Sequence, residues 1–165
     1  APDPDIILYL ANDRKAYFNH EVYMSHCKPA RDNQYDLGSS GRRWDDVRAT
    51  NAFIQTSDRN EKNSIETLNE IQMKQFIKSL NPVSFKFNNG TRKHCGLISQ
   101  EVKESMDEIN SDGGVYIYDS DVDRHSLRYG ELISPMISTI QHLITTVETL
   151  QAKIDKLENI IYDYI

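Results

Sequence analysis

The end of the chain carries a heptad repeat, and this feature restricts the fold more than any other. From Ile133 to Tyr164, apolar residues recur at alternating steps of three and four, with β-branched residues at a and mainly Leu at d. The seam consists of Ile133, Met136, Ile140, Leu143, Val147, Leu150, Ile154, Leu157, Ile161 and Tyr164. Such a seam predicts a long helix that winds with parallel copies of itself. A single amphipathic helix packed on its own domain would instead drift towards a 3.6-residue period.

The residues beside the seam bear on the number of helices. The a and d residues alone favour two strands, but Ile137 and Ile144 at e and Ile160 at g widen the apolar stripe. A wider stripe favours more than two helices. Lys153 at g and Glu158 at the following e can pair between parallel neighbours. We therefore expect a parallel homotrimer, with a dimer as the alternative.

Residues 58–129 have the pattern of a small α+β domain. Apolar spacing predicts a helix from Ser64 to Leu80, with Asn63 as its cap and Glu66 in capping-box position. Asn81-Pro82 should end this helix, because proline disfavours helix in the residue before it. The elements predicted after it are a strand at 83–87, a positive-φ turn at 88–90, a strand at 95–98, a short helix from Ser99, a turn at 112–114 and a strand at 115–118.

The first 57 residues are predicted to form short strands separated by turns. The strands are expected at Ile6–Leu10, Tyr17–Met24 and Ala52–Gln55, and the turns at 28–29, 32–33 and 37–41. Strands this short, without a large apolar face, cannot close a globular core. Two interpretations remain: they wind with copies of themselves as in a trimeric β-fibre, or they belong to a sheet of which this chain has only a part.

Composition excludes several classes of protein. The net charge of −6 leaves no basic face for nucleic acid, and no apolar run approaches the ~20 residues of a membrane span. Cys27 and Cys95 lie outside any CxxC motif, which disfavours metal and disulfide frameworks and indicates a reducing compartment. P-loop, GxSxG and HExxH motifs are absent from the sequence. The start, Ala1–Asp5, is unlike a signal peptide and resembles a piece cut from a longer polypeptide, so assembly is expected in the cytoplasm of the synthesising cell.

Residues 56–62, Thr-Ser-Asp-Arg-Asn-Glu-Lys, lie where the strand-like part ends and the helical part begins. Ser57 and Lys62 are a potential nucleophile and base at this boundary, which suggests a chain that cuts itself there. The same composition also fits a solvated linker, and short motifs have high false-positive rates.

The residues on either side of this boundary carry a family resemblance over nearly the whole chain. It rests on four stretches: 37–44 with 47–50 (LGSSGRRW with VRAT), Ser57-Asp58-Arg59 with Lys62, Phe85 with 96–102 (GLISQEV), and Leu127-Arg128-Tyr129. In this order and spacing the chain resembles the C-terminal, self-cleaving intramolecular chaperone domains of bacteriophage tail fibres and endosialidase tailspikes. Similar domains occur in neck appendage proteins and in the membrane-tethered myelin regulatory factor.

The resemblance implies that two parts of the chain have different roles. Residues 1–57 would be the distal end of a trimeric β-structured fibre of a virion, and residues 58–165 the chaperone, made of an α+β part (58–129) and a trimeric coiled coil (130–165). A Ser57–Lys62 dyad would cut the Ser57–Asp58 bond after folding and release the chaperone, without metal or cofactor. The endosialidase version has a histidine shortly after the lysine. Asn63 and Ser64 follow Lys62 here, so that histidine's role does not carry over.

The chemistry of such a cut places demands on the site. Lysine acts as a base only when neutral, which desolvation or a nearby cation favours; Arg59 is a candidate cation, and a trimer interface over the boundary would desolvate Lys62. Attack by Ser57 on its own carbonyl would close a four-membered ring, and attack on the Thr56 carbonyl would cut before Ser57. The open routes are a water activated by Lys62 with Ser57 relaying the proton, or a serine from a neighbouring chain.

The sequence also offers residues that could support the dyad and functions other than self-cleavage. Gln100 and Glu101 begin a predicted helix whose N–H groups are suited to an oxyanion, although capping and packing explain them equally well. His20, His26, His94, His125 and His142 are assigned to surface or packing roles. Two rival functions remain: a trimerisation module that does not cleave, and a fibre tip whose first 57 residues bind a host-surface receptor.

Overall fold

The computed structural model describes residues 8–10, 16–18, 21–51, 53–111 and 113–163. The helices are α1 (Glu70–Ser79), α2 (Ser99–Glu108) and α3 (Ile133–Tyr162), and 3-10 turns lie at Arg59–Glu61 and Tyr129–Leu132. The strands are β1 (Leu8–Leu10), β2 (Ala16–Phe18), β3 (Val83–Phe85), β4 (His94–Gly96), β5 (Tyr116–Asp119) and β6 (Arg124–Leu127). They form three antiparallel hairpins: β1–β2, β3–β4 and β5–β6. The predicted α+β class with a long C-terminal helix is confirmed.

The chain divides into two compact units, Ala1–Ser39 and Ser40–Ile165. In the first unit β1 pairs with β2, with Tyr9 opposite Tyr17. The predicted strand over Tyr17–Met24 is too long, because β2 ends at Phe18 and residues 21–24 are irregular; residues 19 and 20 lie outside the described ones. The turn predicted at 32–33 is present, with Asn33 at a φ of 51°. Gly38 has a φ of 93°, a conformation that a residue with a Cβ rarely adopts.

The second unit corrects two predictions made from local pattern. Phe53–Gln55 is not a strand, and its neighbour Ala52 lies outside the described residues. A β-favouring sequence becomes a strand only where another strand completes its hydrogen bonds.

Helix α1 begins at Glu70, later than the Asn63 cap predicted. Ser64 adopts a φ of 51°, which interrupts a right-handed helix. The cap is Asn69, whose Oδ1 accepts from the N–H groups of Ile71 and Gln72 at 3.1 Å each. The end is as predicted: Leu80 is extended, with a ψ of 138°, two residues before Pro82.

The core of the second unit lies where α1, α2 and the β5–β6 hairpin meet the turn before α3. Its buried side chains are Phe76, Val102, Met106, Val115 and Leu132. α2 begins at Ser99 as predicted and contributes Val102, which is 1% exposed, together with Met106. The core is small. The turn before α3 contributes Leu132 to it, and the heptad seam contributes none of the buried residues named above.

The β3–β4 hairpin is anchored to the turn before α3. Val83 pairs with Gly96, and the Leu97 N–H donates to the Tyr129 hydroxyl oxygen at 2.9 Å. The predicted turn after β3 is present, with the Gly90 N–H donating to the Phe87 carbonyl at 2.8 Å. It needs no positive φ, contrary to the prediction, and the strand stops at Phe85.

Helix α3 has two different faces. On the face that meets the rest of its unit, Pro135 and Thr139 are buried, Ser138 and His142 are half-buried, and α1 packs alongside. The heptad residues from Ile133 to Ile161 are 42–63% exposed; Tyr164 lies outside the described residues. With 30 residues the helix is about 45 Å long. No helix in the described part of the chain combines the length and apolar character needed to cross a bilayer.

Candidate functional site: the Ser57–Lys62 turn

The side chains of Ser57 and Lys62 meet in the second unit. Lys62 Nζ donates a hydrogen bond to Ser57 Oγ at 2.6 Å. If the ammonium loses one proton to solvent and the hydroxyl rotates, the serine donates to a neutral amine, which is the starting arrangement for general-base activation of a hydroxyl. The two residues proposed from the sequence as nucleophile and base therefore lie within hydrogen-bonding distance of one another.

The contact depends on a tight turn between the two residues. Five residues of extended chain would separate their Cα atoms by about 16 Å and point the side chains to opposite faces. The 3-10 turn at Arg59–Glu61 reverses the chain instead: the Glu61 N–H donates to the Asp58 carbonyl at 3.3 Å and the Lys62 N–H to the Arg59 carbonyl at 3.2 Å. The turn thus brings Lys62 back onto Ser57.

Asp58 caps this turn. Its backbone is extended, with φ −65° and ψ 136°, and its Oδ1 accepts from the Asn60 N–H at 2.8 Å. This is the geometry of an N-cap, in which a short acceptor side chain satisfies an N–H that the turn cannot. This cap was not among the roles predicted from the sequence, although an Asp before a turn is a recognised cap signal.

The site is open to water in the single chain. Ser57, Asp58 and Lys62 are all exposed, as are the residues between them. An exposed ammonium is well solvated, and its neutral form is favoured only when the group is removed from water or placed beside another cation. The single chain therefore supplies the geometry of a dyad without the burial that a lysine base requires.

The site lies close along the chain to a contact with the base of α3. Gln55, two residues before Ser57, lies beside Gly130, which belongs to the turn that leads into α3. A methyl group added to Gly130 would stand 3.7 Å from Gln55 Oε1, an ordinary van der Waals distance. The segment that carries the site thus lies beside the turn from which the heptad helix starts.

The proposed supporting residues occupy different positions. Arg59 opens the 3-10 turn, and its carbonyl holds Lys62 through the backbone. Gln100 and Glu101 lie in the first turn of α2, as predicted, with Gln100 Oε1 accepting from Ser99 Oγ and Glu101 Oε2 from Asn81 Nδ2, both at 3.2 Å. Within the described part of the chain, neither side chain hydrogen-bonds to the dyad.

Three of the described histidines pack against aromatic or charged side chains, whereas His26 is exposed and His20 lies outside the described residues. His94 stacks on Phe85, with ring centroids 5.7 Å apart, and His125 Nδ1 lies 2.6 Å from the Tyr116 hydroxyl. His142 joins α3 to α1, with Nε2 3.2 Å from Lys74 Nζ and Nδ1 3.5 Å from Glu70 Oε2. Lys74 and His142 are 68 positions apart, so local sequence gives no sign of this link. Among the described residues no His, Cys, Asp or Glu cluster could hold a metal ion.

One protein family matches the part of the chain that begins at this site. Residues 57–110 match the model of the family described as chaperone of endosialidase, a peptidase family, and the match begins at Ser57. No curated protein gives a match.

A solved structure shares the fold. The carboxy-terminal domain of the bacteriophage T5 L-shaped tail fibre, solved with its intramolecular chaperone domain, aligns with a TM-score of 0.61 over 88% of this chain at 19% identity. The chain spans 40% of the length of that protein. The solved structure shows the fold, and the family match supports a chaperone role. The resemblance drawn from the sequence is therefore confirmed: residues 57–110 match the chaperone-of-endosialidase family, and the chain has the fold of a phage tail-fibre carboxy-terminal domain with its intramolecular chaperone.

Proposed function

We propose that this chain is the end of a trimeric phage fibre joined to an intramolecular chaperone, and that the chaperone, residues 58–165, is removed by a single self-cleavage after Ser57. The observation that carries the proposal is the 2.6 Å contact between Lys62 Nζ and Ser57 Oγ. It occurs at the first residues of the segment that matches the chaperone family. The linker interpretation does not explain a contact between these two side chains at that point of the chain.

The exposed seam of α3 supports assembly into a trimer. Its nine described heptad residues form an apolar stripe along a helix about 45 Å long. An apolar surface of this extent is unfavourable in water and marks an interaction site. Ile137 and Ile144 beside the seam are also 49% and 52% exposed, which widens the stripe. The heptad spacing fits two further copies of the same helix, in parallel.

Assembly would also complete the cleavage site. Gln55 lies beside Gly130 at the base of α3, so the cleavage segment is close to the point where three α3 helices would converge. Neighbouring copies would cover Lys62 there and favour its neutral form. Cleavage would then follow correct folding, and the chaperone would not be lost before it had acted.

The reaction is hydrolysis of the Ser57–Asp58 peptide bond within one chain. Neutral Lys62 takes a proton through the Ser57 hydroxyl from a water molecule, and the resulting hydroxide attacks the Ser57 carbonyl carbon. The bond to the Asp58 nitrogen breaks, the nitrogen takes up a proton, and Ser57 keeps the new carboxyl group. One water is consumed and no cofactor is needed. The reaction destroys its own substrate, so each chain reacts once.

The chaperone role follows from the relative speed of folding of the two parts. A fibre wound from short strands of three chains relies on non-local pairing and folds slowly. A heptad trimer forms mainly from local helical contacts and raises the concentration of the tethered strands to roughly the millimolar range. Once formed, the interwound fibre would persist because its unfolding barrier is high, so the chaperone can leave.

The test is denaturing electrophoresis and intact mass of freshly made protein. We expect a fragment of residues 58–165 from the wild type, none from Ser57→Ala or Lys62→Ala, and normal cutting in Thr56→Ala, which removes only the neighbouring hydroxyl. All four proteins should form trimers. An uncut wild-type trimer would support the non-cleaving trimerisation module instead.

Mixed trimers test the proposed within-chain route. Wild-type chains and longer, tagged Ser57→Ala chains are expressed together, and the mixed trimers are isolated through the tag. We expect the wild-type chains to be cut and the Ser57→Ala chains to stay intact. Cutting of the Ser57→Ala chains would instead show that a serine from a neighbouring copy does the chemistry.

A further inference from the structure

Asp58 takes part in two features of the site: the bond proposed to be cut and the turn that follows it. Its backbone nitrogen belongs to the Ser57–Asp58 bond, and its side chain caps the turn that brings Lys62 to Ser57. The cap contact, from the Asn60 N–H to Asp58 Oδ1, measures 2.8 Å. Among the described residues, two further backbone hydrogen bonds hold the turn, both longer than 3 Å, so the cap makes up much of what keeps this exposed turn closed.

We propose that Asp58 is a positioning residue for the cleavage: by accepting the Asn60 N–H, its side chain holds the 3-10 turn in which Lys62 Nζ reaches Ser57 Oγ. This inference rests on the self-cleavage proposed above. Only chains with the closed turn are competent to react, so the rate scales with the fraction of closed turns. The role needs a hydrogen-bond acceptor on a short side chain, and it does not need a negative charge.

This role sets a specificity at the residue after the cut. Asn and Ser also accept the N–H of a residue two positions on and are good caps. Ala has no acceptor, and Glu carries its acceptor one methylene further out, which does not suit the cap. The favoured residues at position 58 are therefore the short acceptors Asp, Asn and Ser. If the site required a negative charge at position 58, Asp and Glu would both support cleavage, and Asn and Ser would not.

The test is the rate of self-cleavage in the full chain with Asn, Ser, Glu or Ala at position 58. We expect Asp58→Asn and Asp58→Ser to cut within about twofold of the wild type and Asp58→Ala to cut about tenfold more slowly, equivalent to ~1.4 kcal/mol, which is within the range for loss of an N-cap. Glu61→Ala is the matched control, since it removes a nearby carboxylate but leaves the cap, and it should cut normally.

Further readouts separate positioning from charge and from global damage. The pH profile of cleavage should keep its shape in every variant and change only in height, and Asp58→Ala should still form the same trimer as the wild type. Wild-type cutting in Asp58→Ala, or an Asp58→Asn as slow as Asp58→Ala, would overturn the inference while leaving the dyad in place. A wild-type protein that does not cut would overturn the proposed self-cleavage itself.

Discussion

Thr139 and Ile140 are consecutive residues of α3, and the threonine is buried whereas the isoleucine faces solvent. Thr139 is 8% exposed, with its hydroxyl donating to the Pro135 carbonyl at 2.9 Å, and Ile140 is 54% exposed. In a self-sufficient domain the more apolar residue is the one expected inside. The rest of the unit thus occupies one face of α3 and leaves the heptad seam exposed.

Charges placed in the seam should prevent both assembly and cleavage. Leu150→Asp together with Leu157→Asp would bury unpaired carboxylates in the coiled coil, at a cost on the order of several kcal/mol each. We expect a monomer by analytical ultracentrifugation and no fragment on a denaturing gel, although Ser57 and Lys62 are unchanged. Ala152→Asp, on the outer face of the same helix, should leave both intact. A monomer that cuts at the normal rate would separate cleavage from assembly.

Lys62→Arg should keep the contact with Ser57 but abolish self-cleavage. Arginine retains a positive charge and can donate to Ser57 Oγ, but it does not lose its proton in proteins and so cannot act as a base. We expect the trimer to form and self-cleavage to be absent over days, as with Lys62→Ala. Cleavage by the arginine variant would show that the residue at position 62 acts through its charge and not as a base.

A methyl group at Gly96 should destabilise the β3–β4 anchor. The added Cβ would stand 2.7 Å from the Tyr129 hydroxyl oxygen and 3.3 Å from Phe85 Cε1. Tyr129 is already held by the Leu97 N–H, so it cannot move without losing that hydrogen bond. We expect Gly96→Ala to lower the free energy of unfolding by about 1–3 kcal/mol, measured by urea denaturation of the uncut Ser57→Ala protein.

Gly41→Ala is the control for that measurement, because nothing lies within 4 Å of its added Cβ. Its stability should stay within about 0.5 kcal/mol of the parent. Equal effects at the two glycines would argue that the loss at Gly96 comes from backbone freedom and not from the contact with Tyr129.

Acid should weaken the contact between Ser40 and Asp119. A hydrogen bond from the Ser40 hydroxyl, followed by one from the Asp121 N–H, holds the pKa of Asp119 below its usual value. A carboxyl with a lowered folded-state pKa stabilises the fold fully above its unfolded pKa of about 3.9, and this contribution is lost as the pH falls through the folded value.

Asp119→Asn is therefore expected to be less stable than its parent at pH 7, and this difference should shrink as the pH falls through the lowered pKa of Asp119. Urea denaturation of the uncut protein at several pH values measures the difference. The difference in stability between Ser40→Ala and the parent should shrink with falling pH in the same way, since this variant removes the hydroxyl donor. A gap that stays constant with pH would show that Asp119 acts through its shape and not through its charge.

Elements marked by local pattern were predictable from the sequence. α3 begins at Ile133, the first residue of the seam, and α2 begins at Ser99, while α1 ends before Pro82. Helical period and proline sterics act within a few residues and need no partner. The pairing of Ser57 with Lys62 was also proposed from residues 56–62 together with the family resemblance, and the structure places the two side chains in contact. Assembly through the seam stays a prediction.

Tertiary structure decided what depends on distant residues. It placed the cap of α1 at Asn69 and left Phe53–Gln55 outside any strand. It also brought the Tyr129 hydroxyl to the Leu97 N–H across 32 positions. The sequence by itself determined where helices can run and which side chains can do chemistry, because these depend on local backbone preference and residue type. Which faces are covered, and which residues meet, depends on packing between segments that the chain brings together only when it folds.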